Sequence, residues 1–147
     1  MNVQEIYFIF LNIMTRNKPN IRKALVVEDN DNFRTDYIEY LNYQTNLDIV
    51  GEARDGFEAL KQIEKLKPDV VFMDISMPKM DGLTASHLIK EKYPEIKIVI
   101  VTIHERYIFK EVADSLPVDG YICKSSISHE LPKLLKKLDI YSNAEIE

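Results

Sequence analysis

Short runs of consecutive apolar residues recur along most of the chain, separated by longer stretches with a different spacing. Each run is too brief for a helix and is rich in β-branched residues, which predicts a buried strand. Strands that are apolar throughout are typical of a parallel sheet covered on both faces. The five predicted strands are residues 24–27, 47–53, 70–73, 96–101 and 120–123, the second of which alternates loosely and is not apolar throughout.

The stretches between these strands place apolar residues three and four positions apart, the spacing of one helix face. They predict helices over 30–44, 55–66, 83–93 and 105–116, and a closing helix lined by residues from 127 to 138. Alternating strands and helices indicate the α/β class, with a doubly wound parallel sheet between two helical layers. In such α/β/α folds, ligands bind outside the carboxyl ends of the strands. Residues at those ends are therefore the first candidates for a site.

Composition narrows the class of protein. The chain has 147 residues, 46% of them hydrophobic, with 19 Lys and Arg against 24 Asp and Glu, a net charge of −5. This fits one globular domain and argues against a stand-alone nucleic-acid binder, which needs a basic surplus. The single cysteine, Cys123, excludes a disulfide framework and suits a reducing cytoplasm. No apolar run could span a bilayer, so we expect a cytoplasmic protein with no membrane partner.

The first twenty residues do not follow the repeating pattern. An apolar run at 6–11 precedes a polar, turn-like segment at 15–20. A signal peptide is not indicated, because Glu5 precedes the run and no small-residue cleavage site follows it. We expect residues 1–20 to be an extension without a function of its own. A strand or helix docked on the surface, or a translation start at Met14, are the alternatives.

Three acidic residues follow two of the apolar strands. Glu28 and Asp29 come after the first strand, and Asp74 comes after the third. If these strands are neighbours, the three carboxylates converge and raise one another's pKa unless a cation offsets them. Mg²⁺ suits such a group of hard oxygen ligands. One acid at a strand end is usually a helix cap, but three together predict a metal site.

Two further polar residues belong to the same edge of the predicted sheet. The fourth strand is followed by Thr102, and Lys124 follows the fifth. Lys124 could supply a fixed cation to a phosphoryl group, and Thr102 a hydroxyl donor. Each residue alone has an ordinary structural explanation. Together with the acids they predict a phosphoryl-transfer site, where positioning and charge neutralisation provide most of the catalysis.

The separated motifs, taken together, resemble the receiver domain of bacterial two-component response regulators. They are Glu28-Asp29, the run from Val71 to Gly82 around Asp74, Thr102, and Gly120-Tyr-Ile-Cys-Lys124. The resemblance covers residues 21–139 as the receiver and leaves 140–147 as a tail or the start of a linker. It implies a flavodoxin-like, five-stranded sheet in the order 2-1-3-4-5.

The resemblance also implies the chemistry. Asp74 would accept a phosphoryl group from the phosphohistidine of a sensor histidine kinase, in a reaction that requires Mg²⁺. Thr102 and Lys124 would contact the phosphoryl oxygens. Such a protein is a signalling receiver that catalyses only its own phosphorylation and dephosphorylation. The implied ligands of Mg²⁺ are Glu28, Asp29, Asp74 and the backbone carbonyl of Ser76.

The same resemblance implies how the signal leaves the site. Tyr121 would change rotamer when the Thr102 hydroxyl moves, and so alter the surface of the fourth predicted helix, the fifth strand and the closing helix. Ser125 stands where many receivers have proline, and this run is closer to receivers that precede a LuxR-type helix-turn-helix. We therefore expect a transcriptional output, a homodimer as one candidate assembly, and DNA contact only through a separate or missing C-terminal domain.

Other functions stay open. A stand-alone receiver could act by protein–protein contact alone. A small α/β phosphatase or nucleotide-binding protein is disfavoured, because the turn at 28–33 has no glycine and Asp74-Ile-Ser76 lacks a second aspartate. A pseudo-receiver that only binds partners is a third alternative. Ile103 keeps that alternative open, since receivers often have a smaller residue after the threonine.

Overall fold

A computed structural model of the chain describes residues 1–16, 22–104 and 117–140. Strands and helices alternate after the first helix, as predicted, although the predicted helix 105–116 lies outside the described residues. The strands are β1 Lys23–Val27, β2 Asp48–Ala53, β3 Val70–Met73, β4 Lys97–Thr102 and β5 Gly120–Cys123. The helices are α1 Val3–Arg16, α2 Asp31–Gln44, α3 Gly56–Leu66, α4 Gly82–Lys92 and α5 Ile127–Lys137.

The five strands form one sheet in the order β2-β1-β3-β4-β5, and all four neighbouring pairs are parallel. This confirms the predicted fold class and strand order. The register aligns Val27 of β1 with Met73 of β3, the last residue of each strand. Glu28 and Asp74, which follow them, therefore leave the sheet at the same level.

Both faces of the sheet are covered, because alternate residues of each strand point to opposite sides. Phe72 belongs to a buried cluster with Leu41 of α2 and Leu135 of α5. Its neighbour Met73 belongs to a second cluster with Ile63 of α3 and residues of α4. The sheet therefore lies between two layers of helices, as the uninterrupted apolar strands predicted.

The turn after β3 is closed by a tight backbone approach. Gly82 is the first residue of α4, and its amide donates to the carbonyl of Ile75 at 2.9 Å. A Cβ atom on Gly82 would lie 1.8 Å from the backbone oxygen of Asp74. Only glycine fits here, so the start of α4 holds the loop that carries Asp74.

The N-terminal segment forms a helix, one of the two forms left open by the sequence. Its apolar side chains described by the structure are exposed, with Phe8 at 67% and Phe10 at 56% of their full accessibility. Among the described residues, no helix has both the length and the apolar character needed to cross a membrane.

Candidate functional site

Three carboxylates meet at the carboxyl ends of β1 and β3. One carboxylate oxygen from each of Glu28, Asp29 and Asp74 lies within 4.8 Å of the others. The sheet fixes two of these residues, since the Glu28 amide donates to Ala53 at 2.9 Å and the Asp74 amide to Val27 at 3.0 Å. Glu28 and Asp74 are buried, whereas Asp29 is exposed. The structure thus brings together the three acids that the sequence singled out.

Lys124 lies against two of these acids. Its Nζ atom is 2.9 Å from Oε2 of Glu28 and 3.5 Å from Oδ2 of Asp74. Lys124 follows β5 directly and begins a short 3₁₀ helix. Its side chain is only 14% exposed. Nζ also lies 4.3 Å from the ring centroid of Phe33, a cation–π contact. Two carboxylates and one aromatic ring therefore hold the ammonium group.

The site carries more negative than positive charge. The pKa of Glu28 is raised to about 7: burial raises it most, the hydrogen bond and charge of Lys124 lower it, and the charge of Asp74 raises it. The carboxylate of Glu28 accepts one more hydrogen bond, from the Asn30 amide at 3.3 Å. One lysine does not offset three acids, so a divalent cation would stabilise the group. Hard carboxylate oxygens are the ligands that Mg²⁺ prefers.

Asp74 is oriented by its own loop. Oδ1 accepts a hydrogen bond from the Ile75 amide at 2.8 Å, which leaves Oδ2 on the side of Lys124. Ser76 lies in the exposed bend two residues further on. The Ile103 side chain, considered above for its bulk, is 69% exposed at the surface.

Thr102 and Tyr121 are connected through the backbone of one residue. Thr102 is fully buried at the end of β4, and its Oγ1 accepts a hydrogen bond from the His104 amide at 3.3 Å. The Tyr121 hydroxyl donates to the His104 carbonyl at 3.1 Å. A displacement of Thr102 would therefore reach Tyr121 through His104.

Two residues at the site were not singled out from the sequence. Phe33 contacts Lys124 as described, and Arg34 donates from Nη1 to the backbone carbonyl of Glu28 at 2.7 Å. The sequence does contain a feature that could have identified Arg34. It is a charged residue on the same helix face as Phe33, Tyr37 and Leu41, where an apolar residue is expected.

Parallel strands in this order, with acids and a lysine at their carboxyl ends, define a signalling class of α/β domain. The family model "Response regulator receiver domain" matches residues 24–136. The chain belongs to this family, the component of two-component systems that the motifs resembled.

Relatives with LuxR-type architecture are among the matches. The response regulator protein VraR of Staphylococcus saprophyticus is 32% identical over 126 residues, which are 84% of this chain and 58% of VraR. A crystal structure of a LuxR-family DNA-binding response regulator from Staphylococcus aureus has a TM-score of 0.71 and 30% identity, covering 81% of this chain and 99% of that one.

A two-component response regulator of the LuxR family from Aurantimonas sp. SI85-9A1 has a TM-score of 0.74 and 27% identity, covering 81% of this chain and 85% of that one. The chain spans 58% or less of the length of the VraR proteins that it matches. What the whole relatives do is therefore not transferred to this chain by the similarity.

Proposed function

We propose that this chain is a phosphorelay receiver in which Asp74 accepts a phosphoryl group from a sensor histidine kinase. One observation supports this above the others: the buried Asp74 carboxylate lies in one group with the side chains of Glu28, Asp29 and Lys124. A carboxylate is a suitable nucleophile for an aspartyl phosphate. Membership of the receiver family favours the same chemistry.

In the proposed transfer, an oxygen of the Asp74 carboxylate attacks the phosphorus of the phosphohistidine. The P–O bond forms as the P–N bond breaks, and the released imidazole nitrogen keeps the electron pair and takes up a proton. Lys124 meets the negative charge of the incoming group because its ammonium already lies 3.5 Å from Asp74 Oδ2. The oxygen of the Thr102 hydroxyl accepts from the His104 amide, and its hydrogen would donate to a phosphoryl oxygen.

Mg²⁺ would be held by the carboxylates of Glu28, Asp29 and Asp74 and by the backbone carbonyl of Ser76. When bound, the ion would neutralise phosphoryl charge that these carboxylates would otherwise repel. The donor set fits, because its side-chain ligands are carboxylate oxygens already gathered within 4.8 Å of one another. Burial and the charge of Asp74 raise the pKa of Glu28, and a bound divalent cation would lower it again.

The output follows from the link between Thr102 and Tyr121. If Thr102 moves towards the phosphoryl group, the His104 backbone moves with it, and the Tyr121 hydroxyl loses or changes its partner. We propose that this biases the surface of β5 and α5, together with the predicted fourth helix that lies outside the described residues, between two states. The receiver would comprise residues 21–139, with 1–20 an extension and 140–147 a tail or linker.

The S. aureus relative is described as a DNA-binding response regulator. We propose a transcriptional role for this chain too, with DNA contacted by a domain other than the receiver and with a homodimer as the active assembly. A stand-alone receiver that acts on a partner protein is the alternative. Saturation with beryllofluoride tests the dimer: an increase in mass by light scattering supports it, and an unchanged mass contradicts it.

Incubation with acetyl phosphate and Mg²⁺ tests the central proposal. Intact-mass spectrometry should show a gain of one phosphoryl group in the wild-type chain and none in Asp74→Asn. The matched control is Asp36→Asn, an exposed acid on α2, which should gain the group as the wild type does. An equal gain in Asp74→Asn, or no gain in the wild type at any Mg²⁺ concentration, would refute phosphorylation at Asp74.

A further inference from the structure

The guanidinium of Arg34 is buried beside the acid group and bonded on three sides. Nη1 donates to the backbone carbonyl of Glu28 at 2.7 Å. Nε donates to Oε1 of Glu52 at 2.9 Å, and Nη2 to Oδ1 of Asp31 at 2.5 Å. These partners belong to the end of β1, to β2 and to the first turn of α2. One side chain therefore connects three elements at the point where the acids begin.

The position of Arg34 in the helix does not by itself favour a positive charge. Arg34 lies in the first turn of α2, where the helix dipole disfavours cations. Burial of a charge is also costly unless it is paired and hydrogen-bonded. The pairing with Glu52 and Asp31 offsets these costs and leaves Nη1 directed at Glu28. The ion pairs with Glu52 and Asp31 therefore hold the guanidinium in place for its hydrogen bond to the Glu28 carbonyl.

We propose that Arg34 is a positioning residue that fixes the backbone of Glu28 and thereby the direction of the Glu28 and Asp29 carboxylates. This inference rests on the proposed function, because it assumes that these carboxylates bind Mg²⁺. Arg34 itself contacts neither the carboxylate oxygens of Glu28 nor those of Asp74 among the hydrogen bonds of the described residues. It acts through the main chain of a metal ligand.

The planar fork of arginine suits this task better than lysine. A guanidinium presents several donors in fixed directions, whereas an ammonium is a compact charge on a flexible stem. Arg34 uses all three nitrogens, one for each partner. Arg34→Lys keeps the charge but cannot reproduce the three directions, so it should restore the function only in part.

The chain offers a matched control in Arg54. Its Nε lies 3.6 Å from the same Asp31 oxygen that pairs with Arg34, and its side chain is 64% exposed. Arg54→Gln removes an equal charge from the same surface. Among the described residues, its ion pair is with Asp31 and not with Glu28. A difference between the two substitutions therefore reports the contact with Glu28 rather than the loss of a positive charge.

The first measurement is a calorimetric titration of the unphosphorylated chain with Mg²⁺. Arg34→Gln should weaken Mg²⁺ binding by about ten-fold, the effect typical of groups that orient metal ligands. Arg54→Gln should leave it unchanged. Arg34→Lys should lie between the wild type and Arg34→Gln. Each titration uses folded protein, checked by circular dichroism, so that a loss of stability does not imitate a loss of affinity.

The second measurement needs no metal. Hydrogen exchange at the Asn30 amide, which donates to Glu28 Oε1, should be faster in Arg34→Gln than in the wild type or Arg54→Gln. If Arg34→Gln does not fold, Glu52→Ala replaces it. Glu52 is exposed, and the loss of its side-chain acceptor releases Nε of Arg34, so a smaller change in the same direction is expected.

The outcomes separate this inference from the proposed function. Equal exchange and equal Mg²⁺ affinity in Arg34→Gln and Arg54→Gln would overturn the role of Arg34, even if the wild type is phosphorylated on Asp74. A wild type that gains no phosphoryl group would overturn the proposed function instead. In that case, unchanged exchange at Asn30 still overturns the positioning role, and faster exchange in Arg34→Gln alone supports it.

Discussion

Lys124 pairs more closely with Glu28 than with Asp74, at 2.9 Å against 3.5 Å. Glu28, and not the proposed phosphoacceptor Asp74, is thus the main partner of the lysine. Entry of a phosphoryl group would have to draw the ammonium towards Asp74. Glu28 therefore has two partners in the proposed function, Lys124 and Mg²⁺, and the balance between them sets the charge of the site.

Lys124→Met should destabilise the protein. The substitution leaves the buried carboxylates of Glu28 and Asp74 without their cation, which typically costs about 3 kcal/mol. Urea unfolding at pH 8 without divalent ions measures the change. Lys79→Met is the control, because Lys79 is 72% exposed and lies 3.8 Å from Asp55. Equal stability of the two variants would show that Lys124 does not offset the acids.

The contribution of Glu28 to the stability of the protein should fall between about pH 4.5 and pH 7. The folded state raises the pKa of Glu28 from 4.5 to about 7, so the folded form holds a proton that the unfolded form has released. Stability from this group is complete below pH 4.5 and is lost as the pH rises through 7.

Glu28→Gln tests this pH dependence, because glutamine does not titrate. The difference in free energy of unfolding between the variant and the wild type should shift in favour of the variant from pH 4.5 to pH 8. Glu64→Gln, which removes an exposed carboxylate on α3, is the matched substitution measured beside it. Parallel curves for wild type and Glu28→Gln, measured without divalent ions, would contradict the cause given for the raised pKa.

Gly82→Ala should be strongly destabilising. Its new methyl group would lie 1.8 Å from the Asp74 backbone oxygen, and a backbone atom cannot turn aside as a side chain can. We expect a loss of more than about 2 kcal/mol, at the upper end for overpacking. At Gly51, the nearest atom is the end of the Leu66 side chain at 2.6 Å, so Gly51→Ala should cost less in the same urea experiment.

Tyr37→Phe should leave stability unchanged or raise it by up to about 1 kcal/mol. The Tyr37 ring stacks on Phe33 at 5.7 Å and meets Phe72 edge-on at 5.9 Å, and phenylalanine keeps both contacts. The Tyr37 hydroxyl is buried and has no hydrogen-bond partner among the described residues. Thermal unfolding measures the stability of Tyr37→Phe and of the control Tyr43→Phe, which changes an exposed tyrosine. A clear loss of stability in Tyr37→Phe alone would mean that the hydroxyl has a partner.

The strands and the meeting of Glu28, Asp29 and Asp74 could be predicted, because uninterrupted apolar runs reveal buried strands and the carboxyl ends of parallel strands share one edge. The contacts around Lys124 could not. Its preference for Glu28 and its position over Phe33 depend on side-chain directions that a linear pattern does not contain. Arg34 was missed for a related reason, since its pairing with Glu52 crosses from α2 to β2.

The ion pair between Lys124 and Glu28 joins residues 96 positions apart in the sequence. Such a contact forms only after the long intervening chain has closed, and loop closure of that length is among the late and slow events of folding. A chain that has paired β1 with β3 but has not added β5 holds its acids without their cation. In the proposed function, uptake of a phosphoryl group would therefore require that β5 has joined the sheet and brought Lys124 to the acids.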